Sequence, residues 1–441
     1  MKKVLILGSG MVARPIIHYL LQKNFFVTIA TPLLENAKEM VADHPNGNVI
    51  FWEASDDTKL SELVESHDIV VSLIPYTFHV QVARKCIYYK KNMLTTSYVS
   101  PQMKALDREA KEAGILILNE MGLDPGIDHL SSKKIIDYVH SKGGKINTFY
   151  SFCGALPATE SVNNPFKYKF SWSPRGVLLA GKNSATYRLN NEIVNINSID
   201  LFKDVRNINF PGFGNMEVYP NRDSLSYIDI YDIPEVKTIM RGTIRYPGWC
   251  KILDTFKQID LFSDEESAFK VSSNVEFLLK KTDCETLNEF YRKYNIHQES
   301  QLFEAMKWAG FFDETLFEPK KIIPFEFTAD LMIPKMTISD TERDMIQMIH
   351  WFEVLSQNNK IEYIMSDMLV NGTPGADTAV AKTVAYPAAL GVEMILNNEI
   401  DLKGVHIPIY PQIYMKVLHS LEKLGFKLRE NYQPESGIFL D

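Results

Sequence analysis

Cysteine is scarce in this chain. The 441 residues hold four (Cys86, Cys153, Cys250, Cys284), far apart and with no C-x-x-C or H-E-x-x-H spacing. Neither a zinc site nor a disulfide framework is indicated, and no metal is expected. An excess of basic residues is also missing: 47 Lys and Arg stand against 55 Asp and Glu, a net charge of -8. Nucleic acid and anionic membranes need a concentrated basic face, so neither is expected as a partner, although a local basic pocket for a small anion is compatible with this balance. No apolar run approaches the ~20 residues of a membrane span. Lys2-Lys3 followed by Val4–Leu7 begins like a signal peptide, but Gly8-Ser-Gly10, Arg14 and His18 break it, and the cytoplasm is the expected compartment. Internal repeats and low-complexity tracts are absent as well, which excludes solenoids and long linkers.

The composition that remains, 45% hydrophobic and 23% charged, is that of a soluble globular protein. The length exceeds one compact core and predicts two or three domains. The chain opens with Val4-Leu-Ile-Leu7 followed by Gly8-Ser-Gly10-Met-Val-Ala13, a G-x-G-x-x-A turn directly after an apolar run. In such a turn Gly8 permits the sharp bend, Gly10 lets a pyrophosphate approach the backbone, and Ala13 lets the next helix pack on the strand. The free amides of that helix then face the phosphates. Strand-like runs at Val4–Leu7, Phe26–Ala30, Val49–Trp52, Ile69–Leu73, Met93–Thr96 and Ile115–Leu118 alternate with helical stretches, the pattern of a doubly wound parallel sheet of Rossmann type.

After Pro125 the texture changes. Glycines, aromatics and asparagines crowd into Phe149–Gly176 and Phe210–Gly248, which predicts a second, mixed α/β domain with binding loops. From about Cys250 to Lys335 apolar residues recur at helical spacing, as in Phe277-Leu-Leu, Leu287–Tyr291 and Leu302–Trp308, and read as helical core. Asp377–Asn397 reads as one more long helix that returns the chain to the first sheet. The expected domains are therefore 1–125 with about 375–441, 126–250 with about 336–374, and a small helical domain over 251–335.

Two loops at carboxyl ends of predicted strands carry chemistry: Thr95-Thr-Ser-Tyr-Val-Ser-Pro101 and Asn119-Glu-Met-Gly-Leu-Asp-Pro-Gly-Ile-Asp-His129. Ligands of open α/β sheets bind at that edge. Asp124-Pro-Gly126 also has the makings of a turn, and Asp128 those of a helix cap.

With these loops the sequence resembles the saccharopine dehydrogenases that act on the glutamate side of saccharopine. The resemblance runs over nearly the whole chain through Gly8-Ser-Gly10, Ser72-Leu-Ile-Pro-Tyr76, Thr96-Ser-Tyr98, Gly122–His129, Phe152-Cys-Gly154, Asn163-Asn-Pro165, Tyr168–Pro174, Tyr219–Ser224, Arg241–Tyr246 and Glu342-Arg-Asp-Met345. It implies a Rossmann domain closed by the C-terminal segment, a substrate-binding and dimerisation domain, a helical domain, and a homodimer. The implied activity is that of an NAD(P)-dependent oxidoreductase of lysine metabolism acting on a CH–NH bond, interconverting saccharopine with L-glutamate and aminoadipate semialdehyde. Tyr98, Asp124 and Cys153 are the matched candidates for proton transfer; Cys153 also suits a small buried apolar residue. Ser97, Tyr98, Asp124, Arg222, Thr243 and Arg245 are matched to substrate, the arginines because guanidinium forks bind carboxylates at two points. Gly8, Ser9, Gly10, Met11, Val12, Thr31, Ile74, Thr96, Ser97, Leu123, Asp124, Pro125 and Ser173 are matched to the cofactor.

Two departures from the family pattern stand out. The second strand ends Ile29-Ala-Thr-Pro32, with neither an acid for the ribose hydroxyls of NAD(H) nor an arginine for a 2′-phosphate. Thr31 is expected to hydrogen-bond the phosphate or a hydroxyl, and the missing acid tilts the expectation to NADP(H). The second departure is Gly154-Ala155-Leu-Pro-Ala-Thr159, where the family pattern has a second glycine and a second proline. Among alternatives, a carboxynorspermidine dehydrogenase-type coupling enzyme would need an acidic pocket and fewer carboxylate clamps, and a non-catalytic Rossmann redox sensor would need no arginine pair.

Overall fold

Short runs rich in Val, Ile and Leu make strands buried on both faces, the signature of parallel sheets covered by helices, with the edge strand Gly47–Phe51 only partly covered. The first six are β1 (Lys3–Leu7), β2 (Phe26–Thr31), β3 (Gly47–Phe51), β4 (Ile69–Ser72), β5 (Asn92–Thr95) and β6 (Leu116–Leu118). The computed structural model describes residues 1–375, 377–434 and 437–439. They divide into two units, Met1–Ser141 with Asp377–Leu428, and Lys142–Ala376 with Arg429–Asp441.

In the first unit the strand order is β3, β2, β1, β4, β5, β6 and then Gly404–His406, all parallel. The order reverses between β1 and β4, where open α/β sheets bind their ligands. The register aligns Leu7 with Ala30 and with Ser72, and Ser72 with Thr95, so the strand ends share one edge. The helix Ala379–Leu396 packs on Arg14–Gln22 and on β4 and β5. Tyr19 and Lys23 both donate to the Glu393 carboxylate, at 2.5 and 2.9 Å, and tie the two helices. By length and apolarity Ala379–Leu396 would suffice to cross a membrane, contrary to the expectation that no segment does. Here it is a core helix, with most of its surface covered by protein.

The second unit is built on a ten-stranded mixed sheet. Its main path runs Arg206–Phe210, Gly214–Pro220, Thr238–Arg245, Lys145–Pro157, Asp344–Leu355, Ile361–Asn371 and Arg429–Asn431. One core joins the sheet residues Phe152, Val218 and Ile244 to Trp249, Phe256, Phe277 and Phe311 of the following helical stretch. The 251–335 helices therefore share a core with this sheet, where the sequence suggests a separate domain. Two other boundaries move for the same reason, since packing partners and not texture decide them. The helix Ile127–Ser141 packs on Pro411–Lys423, with Tyr414 donating to Asp137 at 2.8 Å, and so belongs to the first unit. Arg429–Asn431 pairs with Ile361–Asn371, so the chain does not end in the first unit as expected. Residues 376, 435, 436, 440 and 441 of the proposed boundaries lie outside the described residues.

An ion pair between the buried Lys169 and the partly exposed Glu342 pins the start of Asp344–Leu355 to the aromatic loops. The Lys169 ammonium lies 2.7 Å from Glu342, which also accepts from Asn163 and from the Ser339 amide at 2.8 and 2.9 Å. Burial alone would raise the Glu342 pKa, but these donors outweigh it and hold it near 2, against an ordinary 4.5. A depressed carboxylate stabilises the fold fully above its unfolded value and loses that contribution as the pH falls through its folded one. Glu342→Gln is therefore expected to lower the stability of the second unit by about 3 kcal/mol at pH 7, because Lys169 is left buried and unpaired. In urea titrations the difference from the wild type should shrink as the pH falls from 4.5 toward 2.

Candidate active site

The glycine turn after β1 has the shape of a dinucleotide cradle. Gly8 sits at φ +101° with its amide on Ala30 at 2.9 Å, and a Cβ there would lie 3.2 Å from the Leu73 carbonyl oxygen. Over Gly10 a Cβ would meet nothing within 4 Å, which is open space of the kind a pyrophosphate fills. Ala13 is fully buried beneath the turn. The helix Arg14–Gln22 starts with a proline in its first turn and no side-chain cap, so its amide end remains for an anion. Met11 and Leu33 are exposed, while Val12 and Ile74 are half-buried.

Thr31, matched to the cofactor, has partners within the chain. It is only 1% exposed, its hydroxyl lies 2.9 Å from the Ser9 hydroxyl, and it accepts the Leu33 amide at 3.1 Å. The first bond fastens the glycine turn to the end of β2 and the second shapes the loop that follows, so Thr31 supports the cradle from behind.

The loops after β5 and β6 bring Tyr98 and Asp124 together, the phenol donating to a carboxylate oxygen at 3.1 Å. Gly126, at φ +147°, closes the second loop so tightly that a Cβ would fall 1.9 Å from the Gly122 oxygen. Asp128, the second residue of the helix Ile127–Ser141, accepts the upstream Gly126 amide at 2.5 Å, which fastens the loop to the helix and is not the N-cap bond expected of it. Leu123 and Pro125 are buried, while Thr96, Ser97, Tyr98 and Asp124 keep partial exposure. Behind them lies a polar layer that the sequence did not single out. Glu120 donates its amide to the Ser97 carbonyl at 3.2 Å and accepts the Val99 amide at 2.8 Å, gripping the chain on both sides of Tyr98. Its other oxygen is held by the buried His129 ring at 2.6 Å. His79, at the head of the helix His79–Tyr88, touches the hydroxyls of Ser72, Ser97 and Thr95.

In the second unit Cys153, Thr243 and Tyr219 are cross-strand neighbours in one row, and Arg245 pairs with Glu217 two positions along. Arg245 is 5% exposed. Its guanidinium carbon lies 4.8 Å from the Tyr168 ring centre, 5.8 Å from Trp249 and 5.9 Å from Tyr219. Its hydrogen-bond acceptor is the Ile244 carbonyl at 2.8 Å, and Nε has none. Glu217 does not neutralise it, because its oxygens take the amides of Gly248 and Cys250 at 3.1 and 2.6 Å. Among the described residues no carboxylate pairs with Arg245, which leaves a buried cation facing aromatic surfaces. Arg222 is exposed with a left-handed backbone (φ 54°), and Ser173 is the exposed cap of the helix Pro174–Ala180. All four cysteines are buried, and among the described residues no group of three or more His, Cys, Asp or Glu is arranged to hold a metal. Only their contacts distinguish His79, Glu120, Tyr168 and Trp249; the first three stand within or beside motifs legible in the sequence.

Comparison with known proteins agrees with this architecture. Residues 4–118 match the family model described as saccharopine dehydrogenase NADP binding domain, and residues 122–426 the one described as saccharopine dehydrogenase C-terminal domain. The chain is 38% identical to saccharopine dehydrogenase [NADP(+), L-glutamate-forming] of Pyricularia oryzae, over 97% of this chain and 98% of that protein. It is 36% identical to the protein of the same name from Schizosaccharomyces pombe, over 98% and 99%. The solved structure of apo saccharopine dehydrogenase (L-Glu forming) from Saccharomyces cerevisiae superposes with a TM-score of 0.90 at 34% identity, over 98% of this chain and 99% of that one.

The cradle generates a direct test. Because a Cβ on Gly10 finds open space, Gly10→Val should fold with an unchanged unfolding temperature, yet bind NADPH about 10-fold more weakly or worse, since the added methyls occupy the phosphate space. Thermal unfolding and a fluorescence titration separate the two effects; unaltered NADPH affinity would move the dinucleotide elsewhere.

Proposed function

Since the chain belongs to the saccharopine dehydrogenase family, we propose that it interconverts saccharopine with L-glutamate and aminoadipate semialdehyde, using NADP(H). The observation that carries the substrate assignment is Arg245. A guanidinium buried among aromatic rings without a carboxylate partner is costly unless a ligand supplies the anion, and saccharopine has three carboxylates. A polyamine co-substrate would call for acidic groups in that place.

Saccharopine is a secondary amine, and its oxidation on the lysine side gives an imine that water converts through a carbinolamine to aldehyde and glutamate. NADP+, when bound, accepts the hydride. The residues of the chain bind, orient and move protons. Arg245 would hold one carboxylate at two points, with Thr243 beside it in the row and Arg222 at the rim of the second unit. The Tyr98 phenol, already bonded to Asp124, forms a pair through which a proton can pass to or from nitrogen and oxygen as water adds and the carbinolamine collapses. Cys153, in the same row as Thr243, is a third proton carrier by the same reading. NADP(H) suits the loop after β2, where no acid stands to repel a 2′-phosphate. A homodimer working in lysine metabolism completes the proposal.

Incubating the protein with saccharopine and NADP+ should produce reduced cofactor, glutamate and aminoadipate semialdehyde, with NAD+ a poorer substitute. Lysine and 2-oxoglutarate as products would refute the assignment. Arg245→Met should raise the KM for saccharopine by the equivalent of about 2–5 kcal/mol. Its unfolding temperature should hold or rise, because an uncompensated buried charge has been removed. A fall in stability with an unaltered KM would mean that Arg245 serves the fold.

A further inference from the structure

The hydrogen bonds around His79 admit one consistent assignment of protons. The Thr95 hydroxyl donates to the Ser72 carbonyl at 2.9 Å, which spends its single proton. His79 Nε2 lies 3.2 Å from that same Thr95 oxygen and 2.9 Å from the Ser97 oxygen, while Nδ1 lies 2.8 Å from the Ser72 hydroxyl. A bare Nε2 would set lone pair against lone pair at Thr95, and a protonated Nδ1 would leave the fully buried Ser72 hydroxyl without an acceptor. With the proton on Nε2 every group is satisfied: Ser72 donates to Nδ1, and Nε2–H is shared between Thr95 and Ser97. Burial also keeps the ring neutral, pushing its pKa down to about 4.

We propose that His79 is a positioning residue that keeps the Ser97 proton off the imidazole, leaving it to be donated from the partly exposed loop to an acceptor oxygen of the bound reactants. The Ser97 carbonyl is held by the Glu120 amide, so the hydroxyl is fixed at both its backbone and its oxygen. Had Ser97 faced a bare Nε2 its proton would be spent on the ring; with Nε2–H engaging one of its two lone pairs, the proton is left over for a ligand. Such a group suits a carboxylate oxygen of saccharopine, or the carboxamide oxygen of the cofactor. The inference rests on the substrate reading above for the identity of the acceptor, but not for the state of the imidazole.

The two layers are tested separately. Ser97→Ala should raise the KM for saccharopine about 10-fold with kcat little changed, the loss of one hydrogen bond to a charged group. His79→Leu should raise it by a similar or smaller factor, His79→Gln should recover most of that loss because its amide can donate to Ser97, and the double variant S97A/H79L should be no worse than Ser97→Ala alone. A shift in NADPH affinity in place of the KM would identify the cofactor as the source of the acceptor. Additive losses, or a His79→Leu enzyme with unaltered KM and cofactor affinity, would overturn the proposal. Imidazole nitrogen NMR of the wild-type protein near neutral pH needs neither turnover nor a folded variant. It should show His79 neutral and protonated at Nε2, and an imidazolium or an Nδ1–H tautomer would overturn the assignment even if saccharopine is turned over.

Discussion

Parallel pairing of β1 with β2 on one side and β4 on the other is the constraint from which the first unit follows. Because every strand runs the same way, their carboxyl ends open on one edge, and the register brings Leu7, Ala30, Ser72 and Thr95 level there. Whatever follows those residues in the chain is delivered to the same edge: the glycine turn, His79, Tyr98 and, beyond β6, Asp124. A slip of one residue would turn the buried branched side chains to the wrong face, so the hydrophobic pattern that folds the sheet also aligns the chemistry.

Burial then turns alignment into rigidity. The polar groups behind the loops, Ser72, His79, Thr95, Glu120 and His129, lie where water does not reach them, and a buried polar group left without a partner is expensive. Each therefore bonds to another loop, and the cheapest arrangement is also the one that leaves the backbone beside Tyr98 and Asp124 least free to move. Placement of reacting groups to within a fraction of an ångström is worth several orders of magnitude in rate, so the layer behind the loops would bear on the chemistry proposed for Tyr98 and Asp124.

The second unit handles charge in two opposite ways. Lys169 is buried against the partly exposed Glu342 with every oxygen of the carboxylate supplied with a donor, and they fasten loop to strand. Arg245 is buried with only ring faces and one backbone carbonyl around it. Cation–π contact offsets part of the desolvation, about 0.5–2 kcal/mol per good contact, but not all of it. The remaining deficit is what a carboxylate of the proposed substrate would offset, before any shape is considered.

Much of this was legible in the chain itself. Six of the seven strands of the first sheet, the long helix near residue 380, the turn at Gly8-Ser-Gly10 and the loops holding Tyr98 and Asp124 follow from local patterns, because run length, periodicity and glycine placement act within a few residues. Arg245 and Cys153 were visible through the motifs around them, as was the resemblance to a family. What tertiary structure alone decided is which side chain spends its hydrogen bonds on which neighbour. Thr31 bonds to Ser9 and Leu33; Glu120 reaches back across 21 residues to Val99; His79 meets Ser97 from the head of another helix. The helix Ile127–Ser141 and the strand Arg429–Asn431 likewise joined the unit that covered them, not the one nearest in sequence texture. Local sequence determines the shape of each element, because backbone preferences are local; the partners of a buried polar group are set by the distances that packing creates, and no short stretch of sequence contains them.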